Sequence, residues 1–400
     1  MAGIEFLAEG RLAWDASDRS GLTDTLAWKS GSMPHDRLGS FGSGLAYSGR
    51  DNLYFACADR GPADGAAAYA CRVQVMRIEV LSTPGNGWQL RMTCEATRLL
   101  KDSAGRAFTG AADRLNLKDA ALARRLDPEG IRVARDGSLY ISDEYGPFVD
   151  HYSASGVRLA RLPASAHLLN SSQSGEPAGE LPPIARQGRQ PNRGMEGLAI
   201  SPEGMRLYGI MQSPLIQDGG LDPANKRVGT NARIVEYSLR DGAEGPRRQF
   251  VYCMEHPAYS LNEILSVSDR TFLVLERDGK GGTEAKFRAI YKITLDNASD
   301  VSDRTILPVR SLPASVRAVG KSMFLDLMRP EFGLAGKLMP EKIEGLTFGP
   351  DLPDGRHVLL VSIDNDFIDG QDSIVWAFAI EPNLLPDFAL PIVESQQPGR

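Results

Sequence analysis

The chain has 400 residues, of which 42% are hydrophobic and 24% are charged, with 45 Lys and Arg against 51 Asp and Glu. These fractions are those of a globular protein and exclude wholesale disorder and a coiled coil. The net charge of −6 argues against a broad nucleic-acid surface, and no apolar run reaches the roughly 18 residues that a membrane span needs. The 41 Gly and 25 Pro predict many turns between short strands.

The N-terminal region bears on both the location of the protein and the closure of the fold. The chain begins Met1-Ala2-Gly3-Ile4-Glu5, without a basic region or an apolar region of the kind found in signal peptides. We therefore expect either a cytoplasmic protein or an exported one whose signal lies outside this sequence. The stretch 4–14 that follows resembles a strand, and we expect it to complete the last repeat described below.

Five segments repeat a pattern of strand, tight turn, strand and polar cluster. The first strands of these repeats are predicted at residues 43–47, 129–133, 196–200, 263–267 and 344–348. The second strands are predicted at residues 53–56, 139–141, 207–210, 272–275 and 358–361. Successive repeats begin 67 to 86 residues apart. Because a propeller blade needs about 40–50 residues, each interval fits one blade with its loops.

Further strand-like stretches raise the count to roughly four strands in each repeat. They lie at residues 72–80, 89–97, 233–239, 249–254, 289–295 and 373–380. The sequence therefore predicts an all-β fold, a single closed β-propeller over residues 1–400, with closure between the chain ends. We detect five repeats, and a sixth, diverged blade is left open within the long intervals 44–130 and 264–345.

Three insertions interrupt the pattern, near residues 101–126, 164–193 and 312–340. We predict a helix at Gly110–Arg125, a long surface loop at Leu169–Arg193 and a second short helix at Val316–Leu327. Loops on a rigid ring are natural walls for a binding site, and no segment has the composition of a linker between domains.

Acidic residues recur at equivalent ends of the predicted strands. Glu129, Glu196, Glu263 and Glu344 appear in one register, at the start of the first strand. The ends of the second strands supply Asp59, Asp143, Glu144, Gln212, Glu276, Asp278, Asp364, Asn365 and Asp366. Because antiparallel inner strands bring these two sets to one rim, we expect a ring of carboxylates there.

Facing carboxylates repel one another, so a compensating charge is expected. Oxygen ligands with little sulfur or imidazole suit a hard cation such as Ca²⁺, Mg²⁺ or Mn²⁺. The alternative compensation is arginine, because Arg60, Arg193 and Arg277 lie within the same motifs. These arginines also suit an anionic substrate group, or they simply pair with the neighbouring carboxylates. A third reading is that the acidic residues only cap strands and turns.

Other catalytic signatures are absent from the sequence: it has no Gly-x-Ser-x-Gly elbow, no P-loop and no His-Glu-x-x-His motif. His151 follows Glu144 closely and is either a general base or an ordinary loop residue. The four cysteines, which lack CxxC spacing, fit either disulfides or buried free thiols; they are Cys57, Cys71, Cys94 and Cys253.

Several motifs together resemble one known family. They are Asp59-Arg60-Gly61-Pro62, Asp127-Pro128-Glu129-Gly130-Ile131, Ile141-Ser142-Asp143-Glu144-Tyr145-Gly146-Pro147, Asn192-Arg193-Gly194-Met195-Glu196-Gly197-Leu198, Phe272-Leu273-Val274-Leu275-Glu276-Arg277-Asp278, Lys342-Ile343-Glu344-Gly345-Leu346 and Asp364-Asn365-Asp366-Phe367. This set resembles the bacterial phytase-like group named for the esterase-like activity of phytase. The resemblance implies a propeller, export, disulfides and hydrolysis of an ester or phosphoester. The first repeat departs from the others because Ser43 stands where they carry Glu.

Our leading hypothesis is a metal-dependent hydrolase that acts on an ester or phosphoester at the mouth of the ring. The expected cofactor is a divalent cation, with Ca²⁺ as first choice. Its expected ligands are Glu129, Glu196, Glu344, Glu276, Asp364, Asn365 and Asp366. Asp143 or Glu144 is expected as general base. The residues expected to contact a small anionic substrate are Arg60, Arg193, Arg277, Asp59 and Gln212.

We further expect a monomer that is periplasmic or secreted, with a cytoplasmic location left open, and no nucleic-acid partner. Two other functions remain open at this stage. One is a calcium-dependent lactonase, since related propellers place a similar metal at the centre of the ring. The other is a propeller that binds a ligand or partner and uses the cation only for its structure.

Overall fold

The structure is a computed structural model that describes residues 3–394 except 84, 86, 117–122 and 241–244. The described residues contain 22 strands. Strand β1 (Ile4–Leu12) comes first, and a small separate hairpin of β2 (Thr25–Trp28) and β3 (Gly31–Pro34) follows it. No helix in this part of the chain is long and apolar enough to cross a membrane.

The remaining strands form the blades in chain order. The first blade contains β4 (Gly44–Tyr47), β5 (Leu53–Cys57), β6 (Arg72–Thr83) and β7 (Gly87–Leu99). The second contains β8 (Pro128–Val133), β9 (Leu139–Asp143), β10 (Phe148–Tyr152) and β11 (Arg158–Arg161). The third contains β12 (Met195–Ile200), β13 (Arg206–Met211), β14 (Asn231–Ser238) and β15 (Gly245–Cys253). The fourth contains β16 (Ser260–Ser266), β17 (Thr271–Arg277), β18 (Arg288–Thr294) and β19 (Gly320–Asp326). The fifth contains β20 (Ile343–Phe348), β21 (His357–Ile363) and β22 (Ser373–Ile380).

The first strand of the chain completes the fifth blade. Strand β1 pairs antiparallel with β22, from Ile4 opposite Ile380 to Leu12 opposite Ser373. The result is a five-bladed β-propeller of four-stranded antiparallel sheets, with the ring closed between the chain ends as the sequence predicts. Helical segments are short turns at Ala112–Arg114, Ala166–Leu168, Pro177–Glu180, Ile216–Gly220, Gly282–Glu284, Pro330–Phe332 and Pro382–Leu384.

Burial on both faces explains why the inner strands consist of apolar runs. Every residue of β20 and β22 is buried, because each blade packs against the blades on either side of it. One core cluster joins Leu275 of the fourth blade to Leu346 and Trp376 of the fifth. Each such side chain contributes about 1.5–3 kcal/mol through burial, so the contacts between blades stabilise the ring as a whole.

Some predictions about the insertions are wrong. The predicted helix at Val316–Leu327 is instead mostly strand β19, which pairs with β18 along the edge of the fourth blade. Gly320 at its start disfavours a helix, and the edge of β18 offers a backbone partner. Of the helix predicted at Gly110–Arg125, the structure has a single turn at Ala112–Arg114, and residues 117–122 lie outside the described part. The long intervals hold no sixth blade among the described residues, only the extended β6–β7 pair and a coil before β19.

The C-terminal segment closes one end of the central channel. Residues 385–394, which we call the strap, run across the ends of the first strands of several blades. Backbone hydrogen bonds join Ala389 to the carbonyl of Val267 and Ile392 to the carbonyl of Pro202. A third joins Glu394 to the carbonyl of Arg135. Access to the channel is therefore from the opposite end, where the first strands begin; we call this end the mouth.

Candidate active site

Tight packing of the inner strands places three glutamates at the mouth. Glu129, Glu196 and Glu344 each precede a glycine in the first strand of their blade. A Cβ atom on Gly130 would lie 2.6 Å from the backbone nitrogen of Leu198 in the next blade. Only glycine permits this approach, so the Glu-Gly pattern narrows the ring directly below the glutamates.

The fourth blade departs from this register, and the prediction that Glu263 aligns with the other three glutamates is wrong. In the fourth blade Ile264 pairs with Val274, and at the equivalent place in the third blade Leu198 pairs with Gly209. Glu263 therefore stands where the third blade has the glycine of the Glu-Gly pattern. Asn262 stands where the third blade has the glutamate. The motif Asn-Glu-Ile-Leu fits both registers in sequence, and only the strand pairing decides between them.

Glu263 and Arg132 fill the channel below the mouth. The Arg132 guanidinium donates to the carbonyls of Leu45, Ile264 and Leu346, at 3.1, 3.0 and 3.3 Å, and thus joins three inner strands. Its Nη2 lies 3.0 Å from Oε2 of Glu263. Burial nevertheless raises the pKa of Glu263 to about 7, and the Arg132 charge opposes that shift. This pair therefore forms the floor of the mouth.

Three buried carboxylates meet at the mouth, and we call them the glutamate cluster: Asp127, Glu129 and Glu144. Each offers an oxygen that lies within 4.8 Å of oxygens from the other two. Asp127 precedes β8, Glu129 lies within β8 and Glu144 follows β9, so the two inner strands of one blade supply all three. Such a spacing suits carboxylate ligands of one cation.

Two buried carboxylate oxygens at the mouth lack a hydrogen bond among the described residues. They are Oε1 of Glu144 and Oε2 of Glu196. Both side chains belong to residues that are only 2% exposed. The other oxygens are engaged, since Asn262 donates to Oε1 of Glu196 at 3.1 Å and Arg60 donates to Oε2 of Glu144 at 3.3 Å. Buried oxygens without a donor are costly, and either a proton or a cation would satisfy them.

Burial and mutual repulsion raise the pKa values of these groups. Burial is the largest cause for Glu129 and Glu144, and the charge of Glu196 comes next for both, so their pKa values lie well above the usual range. Burial raises the pKa of Glu196 to about 8, with a further contribution from Glu344. A cation would favour the charged forms of all three groups.

A second group of carboxylates at the mouth has an internal cation. Asp59, Asp364 and Asp366 form it, with Lys342 Nζ lying 3.5, 3.4 and 2.9 Å from their oxygens; we call it the lysine cluster. Burial opposes the charge of Lys342, but the surrounding carboxylates raise its pKa well above the usual range. The neighbouring Asn365 accepts backbone hydrogen bonds from Ser40 and Phe367, so its oxygen holds a loop.

The three predicted arginines all reach the mouth but differ in their partners. Arg60 donates to Asp127 at 2.8 Å as well as to Glu144, and Arg277 donates to Glu344 at 2.7 Å. The third, Arg193, donates to the neutral oxygens of Gln212, Ser213 and Ser260. Arg60 and Arg277 are thus held by carboxylates, whereas Arg193 retains its charge for another partner.

A cavity of about 600 Å³ adjoins the mouth beside Arg60. Its lining includes Asp64, Arg125, Tyr145 and Asn192, of which Arg125 and Asn192 belong to the insertions that the sequence predicts as walls. The Arg125 guanidinium stacks on the Tyr145 ring at 3.8 Å. Arg60 thus lines this cavity and also binds two carboxylates of the glutamate cluster.

The model of one protein family, described as "Phytase-like: Esterase-like activity of phytase", matches residues 36–367. The chain belongs to this phytase-like family. The match covers the candidate residues at the mouth, from Asp59 to Asp366. The family predicted from the sequence motifs is therefore confirmed.

One curated relative and several solved structures are similar to this phytase-like chain. An "uncharacterized secreted protein" of Arthroderma benhamiae is 28% identical over 323 residues, which are 64% of this chain and 62% of that protein. A luciferin-regenerating enzyme aligns over 98% of this chain and 97% of its own, with 12% identity and a TM-score of 0.36. Regucalcin, a calcium-binding protein from Agrobacterium tumefaciens, aligns over 98% of both chains, with 10% identity and a TM-score of 0.36.

Three predicted participants are not among the carboxylates that meet at the mouth. Glu276 is buried beside Tyr252 and Lys321 on the outer strands, where both hydrogen-bond its carboxylate. Asp143 accepts the backbone N–H groups of Asp127 and Tyr145 and thereby shapes the chain around the cluster. His151 bonds Ser138 near the turn at the far end of the second blade.

The structure corrects one expectation about the cysteines and adds four residues to the mouth. All four cysteines are free thiols, so the disulfides implied by the family resemblance are not formed. Sequence reasoning missed the roles of Asp127, Asn192, Asn262 and Lys342. Asp127, Asn192 and Lys342 stand in the motifs that carry the resemblance, so their positions were available as a signal. The role of Asn262 depended on the strand register.

Proposed function

We propose that this phytase-like protein is a metal-dependent hydrolase of an ester or phosphoester. The observation that carries the proposal is the glutamate cluster, whose buried Glu144 has an oxygen without a hydrogen-bond donor. The cluster offers carboxylates, and neither sulfur nor imidazole joins it among the described residues. Such a donor set fits a hard divalent cation, and Ca²⁺ is our first choice.

The residues at the mouth would have different roles in hydrolysis. A cation held by Asp127, Glu129 and Glu144 would polarise the substrate oxygen and lower the pKa of a bound water. Glu196, whose Oε2 lacks a hydrogen bond, would accept a proton from the attacking water, and burial raises its pKa, which makes it a stronger base than an exposed carboxylate. Arg60 would act as a positioning residue, because it holds both Asp127 and Glu144.

Removing one ligand tests the proposal directly. We expect Glu129→Gln to abolish Ca²⁺ binding in calorimetry and to lower kcat by about a thousandfold, because a metal contributes several kcal/mol to such reactions. The matched control is Asp364→Asn, which changes a buried carboxylate of the lysine cluster and should retain Ca²⁺ binding. Hydrolysis that persists at full rate in chelator-treated protein would contradict the proposal.

A substrate panel separates the remaining functions. We expect turnover of p-nitrophenyl phosphate or p-nitrophenyl acetate that exceeds turnover of a lactone. Preferred turnover of the lactone would favour the lactonase instead. Ca²⁺ binding that raises the melting temperature without turnover of any of these compounds would favour a propeller with a structural cation.

We also propose that the protein is exported. The support is the relative of Arthroderma benhamiae, which is described as secreted. Fractionation of the source cells, followed by immunodetection of the natural gene product, tests this location. Recovery of the protein with the cytoplasmic fraction alone would contradict it.

A further inference from the structure

A second arginine, Arg227, lies close enough to Arg193 to be affected by its charge. Arg227 belongs to the loop that precedes β14, and its Nη1 donates to the backbone carbonyl of Tyr259 at 3.1 Å. Arg193 donates to the hydroxyl of the next residue, Ser260, at 3.0 Å. The two guanidinium groups therefore bracket one short stretch of chain at the start of β16.

Both guanidinium groups have neutral hydrogen-bond partners. Arg193 is bonded to a side-chain amide and to two hydroxyls, and Arg227 is bonded to a backbone carbonyl. Within the described part of the chain, neither forms a salt bridge with a carboxylate. This arrangement contrasts with Arg60 and Arg277, which are both paired with carboxylates at the same mouth.

The charge of Arg193 acts on Arg227. Burial lowers the pKa of Arg227 to about 10, and the charge of Arg193 adds to this shift. Burial also lowers the pKa of Arg193, although Glu144 and Glu196 oppose the shift from farther away. Two partly buried like charges without a close counter-ion are unfavourable, and an anion between them would relieve the repulsion.

Aromatic rings pack against the short stretch of chain between the arginines. The Tyr259 ring stacks on Phe287 at 4.5 Å with an interplanar angle of 16°, and the His256 ring lies 5.1 Å from Tyr259. Since the carbonyl of Tyr259 and the hydroxyl of Ser260 orient the guanidinium groups, this packing fixes their positions before a ligand arrives. Preorganised donors lose little entropy on binding.

We propose that Arg193 and Arg227 form a clamp for an anionic group of the substrate, either a phosphate or a carboxylate. Guanidinium groups bind both kinds of oxyanion with paired hydrogen bonds. The substrate class is then an anionic ester, with its charged group held beside Glu144 and Glu196. The role in substrate recognition rests on the proposed hydrolase, whereas binding of the anion itself does not.

Anion binding is tested by calorimetry with inorganic phosphate and, separately, with succinate, in the presence of a chelator and in the presence of Ca²⁺. We expect Arg227→Gln to weaken binding of the preferred anion by about tenfold or more, because hydrogen bonds to charged groups are strong. The control Arg91→Gln, at an exposed position, should leave anion affinity unchanged. Both variants should keep the Ca²⁺ affinity and the melting temperature of the unmodified protein.

Two outcomes would overturn the clamp. One is unmodified protein that binds neither phosphate nor succinate at millimolar concentrations, and the other is Arg227→Gln protein that binds them as tightly as unmodified protein does. Kinetics add a second readout, since Arg227→Gln should raise KM for p-nitrophenyl phosphate and leave KM for the neutral p-nitrophenyl acetate unchanged. An equal effect on both esters would also contradict the clamp. If hydrolysis is absent altogether, the calorimetry still decides whether the arginines bind an anion.

Discussion

Two groups of carboxylates at the mouth face the same electrostatic problem and solve it differently. In the lysine cluster, Lys342 supplies a positive charge from within the chain and lies within 3.5 Å of all three carboxylates. In the glutamate cluster, Arg60 binds Asp127 and Glu144 from one side and leaves Oε1 of Glu144 without a donor. The lysine cluster thus has a cation from within the chain at all three carboxylates, whereas the glutamate cluster retains a buried oxygen without a donor.

This difference indicates where a cation would bind. Counting acidic residues treats the two clusters alike, and sequence reasoning accordingly assigned Asp364, Asn365 and Asp366 to the metal. The position of Lys342 favours a structural role for that group, because a cation there would have to displace an ammonium. The glutamate cluster and the unsatisfied oxygen of Glu196 are better candidates.

Removing the internal cation should have the largest effect on stability. We expect Lys342→Met to lower the free energy of unfolding by about 3 kcal/mol, because it leaves buried carboxylates without their partner. Urea denaturation measures this loss. Addition of Ca²⁺ should restore part of it, since the altered cluster then resembles the glutamate cluster.

The matched control for this experiment is Lys342→Arg, which keeps the positive charge and should lose less stability than Lys342→Met. A Lys342→Met protein as stable as the unmodified one would show that the lysine does not compensate the cluster. The two clusters would then not differ in how their negative charge is compensated.

Saturation of the glutamate cluster with Ca²⁺ should have the next largest effect on stability. We expect Ca²⁺ at a concentration of about 100 times its Kd to raise the free energy of unfolding by about 2.7 kcal/mol, because it binds only the folded chain. Glu129→Gln should remove this stabilisation, and Asp364→Asn should retain it. Denaturation curves with Ca²⁺ and with a chelator give the comparison. Equal stabilisation of Glu129→Gln and unmodified protein would place the cation elsewhere.

Most of the ring could be predicted from the sequence, because its inner strands are apolar runs with tight turns between them. Strand β22, from Ser373 to Ile380, and the closing strand β1 are examples. Strand β19 could not be predicted, since its residues have no clear period and form a strand only because β18 offers an edge. Propensity within a segment does not reveal such a partner.

The candidate site was predicted less completely than the ring. The recurring Glu-Gly pattern correctly brings Glu129, Glu196 and Glu344 to the mouth. The sequence could not reveal that Glu263 lies one position out of register, because only its pairing with β17 shows this. It also could not separate carboxylates with an internal cation from those without one, since Lys342 and Asp59 are far apart in the chain and adjacent only in the fold.

A change of pH should have the smallest effect on the free energy of unfolding. Glu196 is the single group for which this effect is clearest. Burial raises its pKa to about 8 in the folded protein, against about 4.3 for a free glutamate. The folded state therefore holds this proton more tightly than the unfolded chain does. Without a cation, the stability that the proton contributes is fully present below about pH 4.3 and is lost as the pH rises through about 8.

We expect this carboxyl to lower the free energy of unfolding by up to about 1.4 kcal/mol for each pH unit within that range. The measurement is urea denaturation at pH 6.5 and pH 7.5 with a chelator, an interval that limits the change to about 1.4 kcal/mol. It compares unmodified protein with Glu196→Gln, whose free energy of unfolding should decline less with pH. In Ca²⁺ the decline of the unmodified protein should shrink or reverse, because the cation favours the charged carboxylates. Identical slopes for the two proteins in chelator would mean that Glu196 is not protonated at the mouth, and the cluster would then need no cation to balance it.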